Sequence, residues 1–529
     1  MPDYMFLLES RLSPEQRAVL ERVQELSRSQ DMNVYLTGGA IRDLISGQPI
    51  RDLDFTIEGN PQRMVRELEK GGARVVWESE KLRHYEMIFA GDVDGSISSA
   101  RDEVYERPGA KPEYRLSSIM DDLRRRDFSI NAIAISLNAQ SLGLLLDPTN
   151  GLADLERQEV RALSIHAFTN QPIRLLRILR YCARMGARME SRTKEWFDLA
   201  IQREMNQNIE SAELGHEMRA VAREEAPVAT LKEWEGHDLL AAIHPQLQRR
   251  KPDYESLNKL TKVRGNYLAS GIRPRTQNAV TYYTLSRMKP REATGALRNM
   301  EFRANEIDAI ERLISEAQKI VKVLKSRKTN TPREAYNYLA SAAPDMLAFI
   351  EVEMPNATAV SKIRNYVQKW RPMHLALPVN ELDALGVPRG AKFDKILEQL
   401  FEKQLRGKAR EPEERTKALR ELAGIKEELP KKPEKKRKGK ELGPLGAVKT
   451  ALPVQGGKAA TRSEQAKPGT PAGKPSHPSP AQATPHPPPS AGVRAPAKPE
   501  KAQSSGHVVA KRASGAHPKP LPAKKSRRR

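Results

Sequence analysis

GGAIRDLISGQPIRDLD, residues 38–54, is the stretch from which the rest of the chain is read. It follows NVYLT (33–37), whose β-branched and aromatic residues predict a strand. Two glycines after a strand make a tight turn in which backbone N–H groups approach a phosphate with no Cβ in the way. Gly38 and Gly39 fill those positions, and the spacing predicts a helix from about Ala40. Arg42 then lies one turn on, placed for a triphosphate oxygen. DLDFTI (52–57) reads as a second strand. Side chains alternate along a strand, so Asp52 and Asp54 point one way while Leu53 faces the core. Two carboxylates on one strand face form a hard-oxygen site suited to Mg2+. Two such ions, roughly 3.5–4 Å apart, activate an attacking hydroxyl and stabilise a leaving pyrophosphate. A Gly-Gly turn or an Asp-x-Asp strand start is common alone; their order and spacing together carry the reading.

Outward from this stretch, Pro61–Lys70 has helical spacing, and strands are predicted at Arg74–Trp77, His84–Phe89 and around Val93–Ile97. Residues 1–150 therefore form a mixed α+β domain with hairpin-like pairing. A second signal is DDLRRRDFSINAIAISL (121–137), where a helix ends in arginines and an aspartate before an apolar segment. Arginine donates to phosphate and sugar oxygens and Asp127 can accept from a ribose hydroxyl; the same residues also fit an exposed charged helix end. From about Leu152 to Gly424 the pattern is helical almost throughout. In IRLLRILRYCARMGA, Ile173, Leu176, Leu179 and Ala183 form one stripe, and Arg174, Arg177 and Arg180 form another beside it.

The net charge of +23 is unevenly spread. Residues 431–529 hold 23 lysines and arginines against four acids, no aromatic residue and 17 of the 38 prolines. Such a segment buries too little apolar surface to offset backbone ordering and is expected to be disordered. The remaining residues carry 67 basic and 63 acidic side chains, so a nucleic-acid role for them rests on where charge lies. With one cysteine, Cys182, neither a disulfide framework nor a cysteine-rich metal site can form. No apolar run reaches the roughly 20 residues of a membrane span, and the start has no signal-peptide pattern. A cytoplasmic protein without membrane partners is expected.

The Gly-Gly-x-x-Arg-Asp…Asp-x-Asp segment, RRRDFSINA and PIRLLRILRYCARMG resemble the class II tRNA nucleotidyltransferases (CCA-adding enzymes) and bacterial poly(A) polymerases. The resemblance is strong over 33–186 and continues through ESAELGHEM (210–218), LLAAIHPQL (239–247) and PVNELDALGVPRGAKFDKILEQLFEKQL (378–405). It implies an α+β fold with a polymerase-β-like head (1–150), a helical neck and early body (151–247), a helical body and tail (248–430), then the basic tail (431–529). It implies Mg2+-dependent addition of CMP and AMP, from CTP and ATP, to a tRNA 3′ end. In it, Gly38, Gly39 and Arg42 hold the phosphates, Asp52 and Asp54 hold the metal and catalyse, and Arg125, Arg126 and Asp127 meet the ribose. RDEVYERPGAKP (101–112) matches a structural and flexible-loop segment, and Arg174, Arg177 and Arg180 match the arginines of the neck helix.

Two departures stand out. Where the family has Glu-Asp-x-x-Arg as a protein template for the base, this chain has Asn170-Gln171-Pro172-Ile173-Arg174. Gln171 accepts through its carbonyl, but its NH2 also donates to uracil O4 or guanine O6, which predicts a relaxed base preference. Ser96 stands where many members have an acid, with Asp92 and Asp94 nearby. Poly(A) polymerase is the runner-up; SEKLRHYEMIF (79–89), which lacks an arginine-rich segment, and the tail-like segment lean against it. A third reading, an RNA-binding relative with a degenerate template, is opposed by the intact Asp52, Asp54, Arg42 and Asp127, which are costly to bury without a ligand.

Overall fold

The structure is a computed structural model that describes residues 3–425; the basic stretch 431–529 lies outside the described residues. Two helices, α1 (Tyr4–Arg11) and α2 (Pro14–Gln30), precede strand β1 (Val34–Thr37). Ser13 starts α2 as a capping box with Gln16, with Pro14 at the first turn, where its missing N–H costs nothing. Then come α3 (Gly39–Ile45), β2 (Leu53–Ile57), α4 (Gln62–Lys70), β3 (Arg74–Ser79), β4 (His84–Phe89) and β5 (Val93–Ser99). The hairpin β6 (Arg101–Val104) and β7 (Glu113–Leu116) leads to α5 (Ile119–Arg124), β8 (Ala134–Ser136) and β9 (Leu145–Leu146).

Seven strands form one sheet in the order β3-β4-β5-β2-β1-β8-β9, with β2 and β5 parallel and the other pairs antiparallel. The parallel pair sits at the centre, where Gly95 is required: a Cβ there would lie 2.1 Å from the Leu53 carbonyl oxygen. One sheet face and helices α1 to α4 enclose a core that includes Leu8, Val23, Leu36, Leu53, Phe55 and Ile97. The other face carries polar residues and is the floor of a cleft. Between β3 and β4 the register slips at Val76, so that Trp77 rather than Val76 stands opposite Glu86. Such a bulge reverses which face the following residues occupy.

The chain continues through α6 (Gly151–Glu156), β10 (Glu159–Val160), α7 (Ala167–Asn170) and α8 (Arg174–Met185). Strand β11 (Arg188–Met189) pairs in parallel with β10, and α9 (Ser191–Gln202) and α10 (Ser211–Arg223) follow. The remainder to Ala423 is helical, so the expectation of an α+β head followed by a helical region holds for the described residues. Most of the helical region shares one core, which includes Leu176, Leu179, Trp234 and Phe349. The Trp234 indole N–H donates to the Leu176 carbonyl at 3.0 Å, a satisfied polar group at the centre of that core. A smaller core gathers Leu382, Phe393, Leu400 and Leu419. Among the described residues no helix is long and apolar enough to cross a membrane.

Candidate active site

Gly38, Gly39, Arg42, Asp52, Asp54, Arg125, Arg126, Asp127, Gln171, Arg174, Arg177 and Arg180 all line one cavity of about 710 Å³ between the sheet's polar face and helices α8 and α10. Gly38 makes the turn at φ +66°, a backbone region glycine enters without strain; a Cβ there would also meet the Arg126 guanidinium at 3.1 Å. Gly39 opens α3, and its bare face lies beside Asp54: a Cβ would be 3.9 Å from the carboxylate Oδ2.

Asp52 and Asp54 flank the fully buried Leu53 and both line the cavity, as strand alternation requires. Burial first, then the neighbouring Asp52, pushes the Asp54 carboxyl up to about 6. Asp52 is also raised, by burial, against the pull of Arg223, whose Nη1 lies 3.9 Å from its Oδ2. Two carboxyls that cannot both ionise comfortably are short of positive charge. Ser96 Oγ donates to Asp54 Oδ1 at 2.7 Å, so at this position a hydroxyl orients the aspartate where an acid was the alternative. Asp94 lines the cavity, whereas Asp92 sits in the β4–β5 turn at φ +64° and pairs with Arg275 at 2.6 Å.

The arginines divide into those held by acids and one that is not. Arg42 is buried against Asp43 (2.9 Å) and donates to the Asn131 side-chain Oδ1 (2.7 Å). Arg125 pairs with Asp122 (2.5 Å) and Glu103 (2.9 Å), and Arg126 with Asp122 (2.9 Å). A buried ladder runs Asp43–Arg184–Glu224–Arg180–Glu217–Arg177–Asp127, with contacts of 2.6, 3.1, 3.2, 2.6, 3.4 and 3.0 Å. It ties α3 to α8 and α10 and fixes the guanidinium planes. Burial would raise Asp127, but Arg177 and Arg174 hold its carboxyl at about 2, a carboxylate at any ordinary pH. Glu217 is 3% exposed and holds both Arg180 and Arg177. Glu217→Gln keeps an acceptor but removes the charge, and is expected to cost about 2 kcal/mol in a urea denaturation series.

Arg174 differs from all of these. It is 6% exposed and lines the cavity, yet no side chain among the described residues bonds or pairs with it, and its Nε has no partner. Gln171 lies beside it, its Nε2 at 3.4 Å from both Glu103 Oε2 and the Tyr105 hydroxyl. The carboxylate dictates which way the amide faces: NH2 toward Glu103, carbonyl away. The segment 101–112 thus acts structurally through its hairpin, presenting Glu103 to Arg125 and Gln171.

Sequence reasoning passed over Glu86, His216 and Arg223, which also line the cavity. His216, Ala220 and Arg223 recur at the spacing of one helix face on α10, a signal that could have found them. Cys182 is half-buried away from the cavity, and burial pushes its thiol up to about 12, so it is inert.

Comparison with known proteins agrees with this geometry. Residues 34–161 match the poly(A) polymerase head domain. The chain is 24% identical over 413 residues to an A-adding tRNA nucleotidyltransferase of Geobacter sulfurreducens, covering 77% of this chain and 47% of that protein. It is 35% identical over 240 residues to an A-adding tRNA nucleotidyltransferase of Halalkalibacterium halodurans, covering 43% and 54%. It is 34% identical over 178 residues to a CC-adding tRNA nucleotidyltransferase of Deinococcus radiodurans, covering 33% and 47%. The chain thus spans about half the length of these curated relatives. The match thus places a segment similar to the poly(A) polymerase head domain at residues 34–161, over the sheet and the glycine turn that form the cavity floor.

Proposed function

We propose that this protein is a template-independent RNA nucleotidyltransferase that adds CMP and AMP to the 3′ end of tRNA. The observation that carries the reading is the pairing, in one cavity, of two proton-hungry carboxyls with a buried arginine that lacks a partner. The first asks for cations and the second for an acceptor-bearing ligand, and a nucleoside triphosphate with its metal supplies both.

Asp52 and Asp54 fit Mg2+. No group of three acids or histidines among the described residues converges to enclose an ion. Two carboxylates on an open face suit a metal that takes its other ligands from phosphates and water. Bound there, Mg2+ would supply charge to the transferring phosphoryl group and lower the pKa of the attacking hydroxyl. The chain's own residues do the rest. Ser96 holds the Asp54 carboxylate in orientation. Gly38 and Gly39 leave the turn bare for phosphate approach, and Arg42 and Arg126 hold fixed positive charge beside it. Asp127, ionised and anchored by Arg177, accepts from a ribose hydroxyl.

Base choice follows from Gln171 and Arg174. With its NH2 toward Glu103, Gln171 offers an acceptor, and Arg174 offers donors. That pair matches the amino group and ring acceptor of cytosine or adenine and opposes uracil and guanine, each of which presents a carbonyl and a ring N–H. Against the relaxed preference read from the sequence, the contact with Glu103 supports a locked acceptor. Wild type is therefore expected to favour CTP and ATP over UTP and GTP by about 100-fold or more. Gln171→Asp should leave those ratios within about threefold, as single-nucleotide incorporation efficiencies would show; a sharp tightening would mean the amide is free to rotate.

A second reading, addition of AMP alone, is favoured by the A-adding relatives in Geobacter sulfurreducens and Halalkalibacterium halodurans. Incubating the protein with tRNA ending at its discriminator base or at CC, with each nucleotide singly and in pairs, separates the two. Extension of the discriminator-ended tRNA by CTP supports CMP addition; extension only of the CC-ended tRNA, by ATP, supports the second.

A further inference from the structure

We infer that Trp77 and His216 form a stacking platform for the last two bases of the acceptor RNA, at the outer end of the row of side chains that begins at Asp54. The inference rests on the proposed transfer to an RNA 3′ end. Such a reaction brings two substrates to the carboxylate pair from different directions. Asp127, Gln171 and Arg174 line the part of the cavity beside Glu103 of the β6–β7 hairpin. Another direction runs outward across β5, β4 and β3.

Along that direction the register sets a single row of side chains. Asp54 stands opposite Ser96, Ser96 opposite Glu86, and Glu86 opposite Trp77. Opposed residues share a sheet face, so the row begins at the catalytic carboxylate and ends at an indole. Trp77 is in the row only because of the bulge at Val76; unbroken alternation would put Val76 opposite Glu86. Bulges beside active sites re-aim side chains in this way. Three strand spacings place Trp77 roughly 14 Å from Asp54, a span the last two nucleotides of an extended strand cover.

The chemistry of this side is that of single-stranded nucleic acid. Trp77 is 36% exposed, unusual for the largest side chain on an edge strand. The His216 ring packs edge-on against it at 5.3 Å, and the His84 ring lies tilted beside it at 5.9 Å. Glu86 Oε1 lies 3.3 Å from His216 Nδ1 and fixes that ring. Burial drives the His84 imidazole down to about 4, so this ring is neutral and lends the wall an uncharged face. Two half-exposed arginines flank the rings: Arg223, near Asp52, and Arg303, whose Nη1 donates to the Val76 carbonyl at 3.1 Å. Aromatic faces in series with separate exposed guanidinium groups bind strands by stacking and phosphate contact, without base-specific readout.

The test uses full-length protein and short RNA acceptors, either intact or abasic at one of the last two positions. Trp77→Leu keeps apolar bulk without a ring and should raise the KM for intact acceptor about tenfold, with the nucleotide KM unmoved. Trp77→Phe should stay within about threefold of wild type. The difference between Trp77→Leu and wild type should disappear on one of the abasic acceptors, which a packing role for the indole would not produce. Binding is measured separately, without nucleotide or metal, as RNA-dependent quenching of tryptophan fluorescence. Of the four tryptophans, Trp234 is fully buried, and Trp77→Phe should remove most of the quench. A Trp77-dependent quench in a protein that extends no acceptor would keep the platform and reject the transfer reading. Normal extension with equal losses for Trp77→Leu on intact and abasic acceptors, or a quench unchanged in Trp77→Phe, would overturn the platform.

Discussion

Asp54→Asn is expected to lower nucleotide addition by at least about 100-fold while leaving the protein as stable as wild type or more so. The size follows from what is removed: losing a group that only orients a metal ligand costs 10- to 100-fold, and this substitution removes the ligand's own charge. The stability effect has a separate origin. In the cation-free protein the Asp54 carboxyl is pushed to about 6, above the ordinary 3.8, by burial and by Asp52. Between those values the folded chain holds a proton that the unfolded chain has released. This group's contribution to stability therefore falls as pH rises from about 4 to about 6, and stays at its lower level above. Asparagine cannot ionise, so the substitution removes that slope. Thermal midpoints across pH 4 to 7, with and without Mg2+, should show a Mg2+-dependent rise in wild type that Asp54→Asn loses, and a fall with pH that is shallower in the variant, where Asp52 alone of the pair is still raised by burial. Turnover near wild type in the variant would remove Asp54 from the catalytic centre.

Arg174→Met is expected to separate stability from function in the same way. The guanidinium is buried and forms no hydrogen bond or ion pair among the described residues, so only the field of Asp127 and its neighbours offsets the cost of burying its charge. Methionine has similar length and no charge, and it should raise unfolding free energy by roughly 1 kcal/mol or more. The bound state loses instead: hydrogen bonds to a charged donor contribute about 1.5–3 kcal/mol, so kcat/KM for nucleotide should fall about 100-fold. Denaturant titration and steady-state kinetics on the same preparation check both halves. A destabilised variant with normal kinetics would mean that Arg174 is a packing residue.

The head was legible where its strands alternate. NVYLT, DLDFTI and HYEMIF all became strands of the sheet, and the helix after Gly39 runs where its spacing placed it. Strand β8, beside β1 at the other flank, was read only as an apolar segment, because all three of its residues are buried and no polar face marks the period. The stacked row ending at Trp77 could not be read, since a bulge reverses alternation and leaves no local trace in composition. The orientation of Gln171 depends on Glu103, 68 residues away and brought near by a hairpin. That contact is tertiary, and it decides whether the amide accepts or donates. His216 and Arg223 were visible as one helix face, but nothing local tells which helix face meets the head.

The most direct measurement is a single-turnover assay with α-phosphate-labelled CTP or ATP and a tRNA lacking its 3′-terminal nucleotides. Wild-type protein should move label into the RNA with one pyrophosphate released per nucleotide, and the Asp52→Ala, Asp54→Ala double variant should move none while still folding. Unlabelled RNA with wild type in the presence of Mg2+, or equal labelling by the double variant, would contradict nucleotidyl transfer at this site.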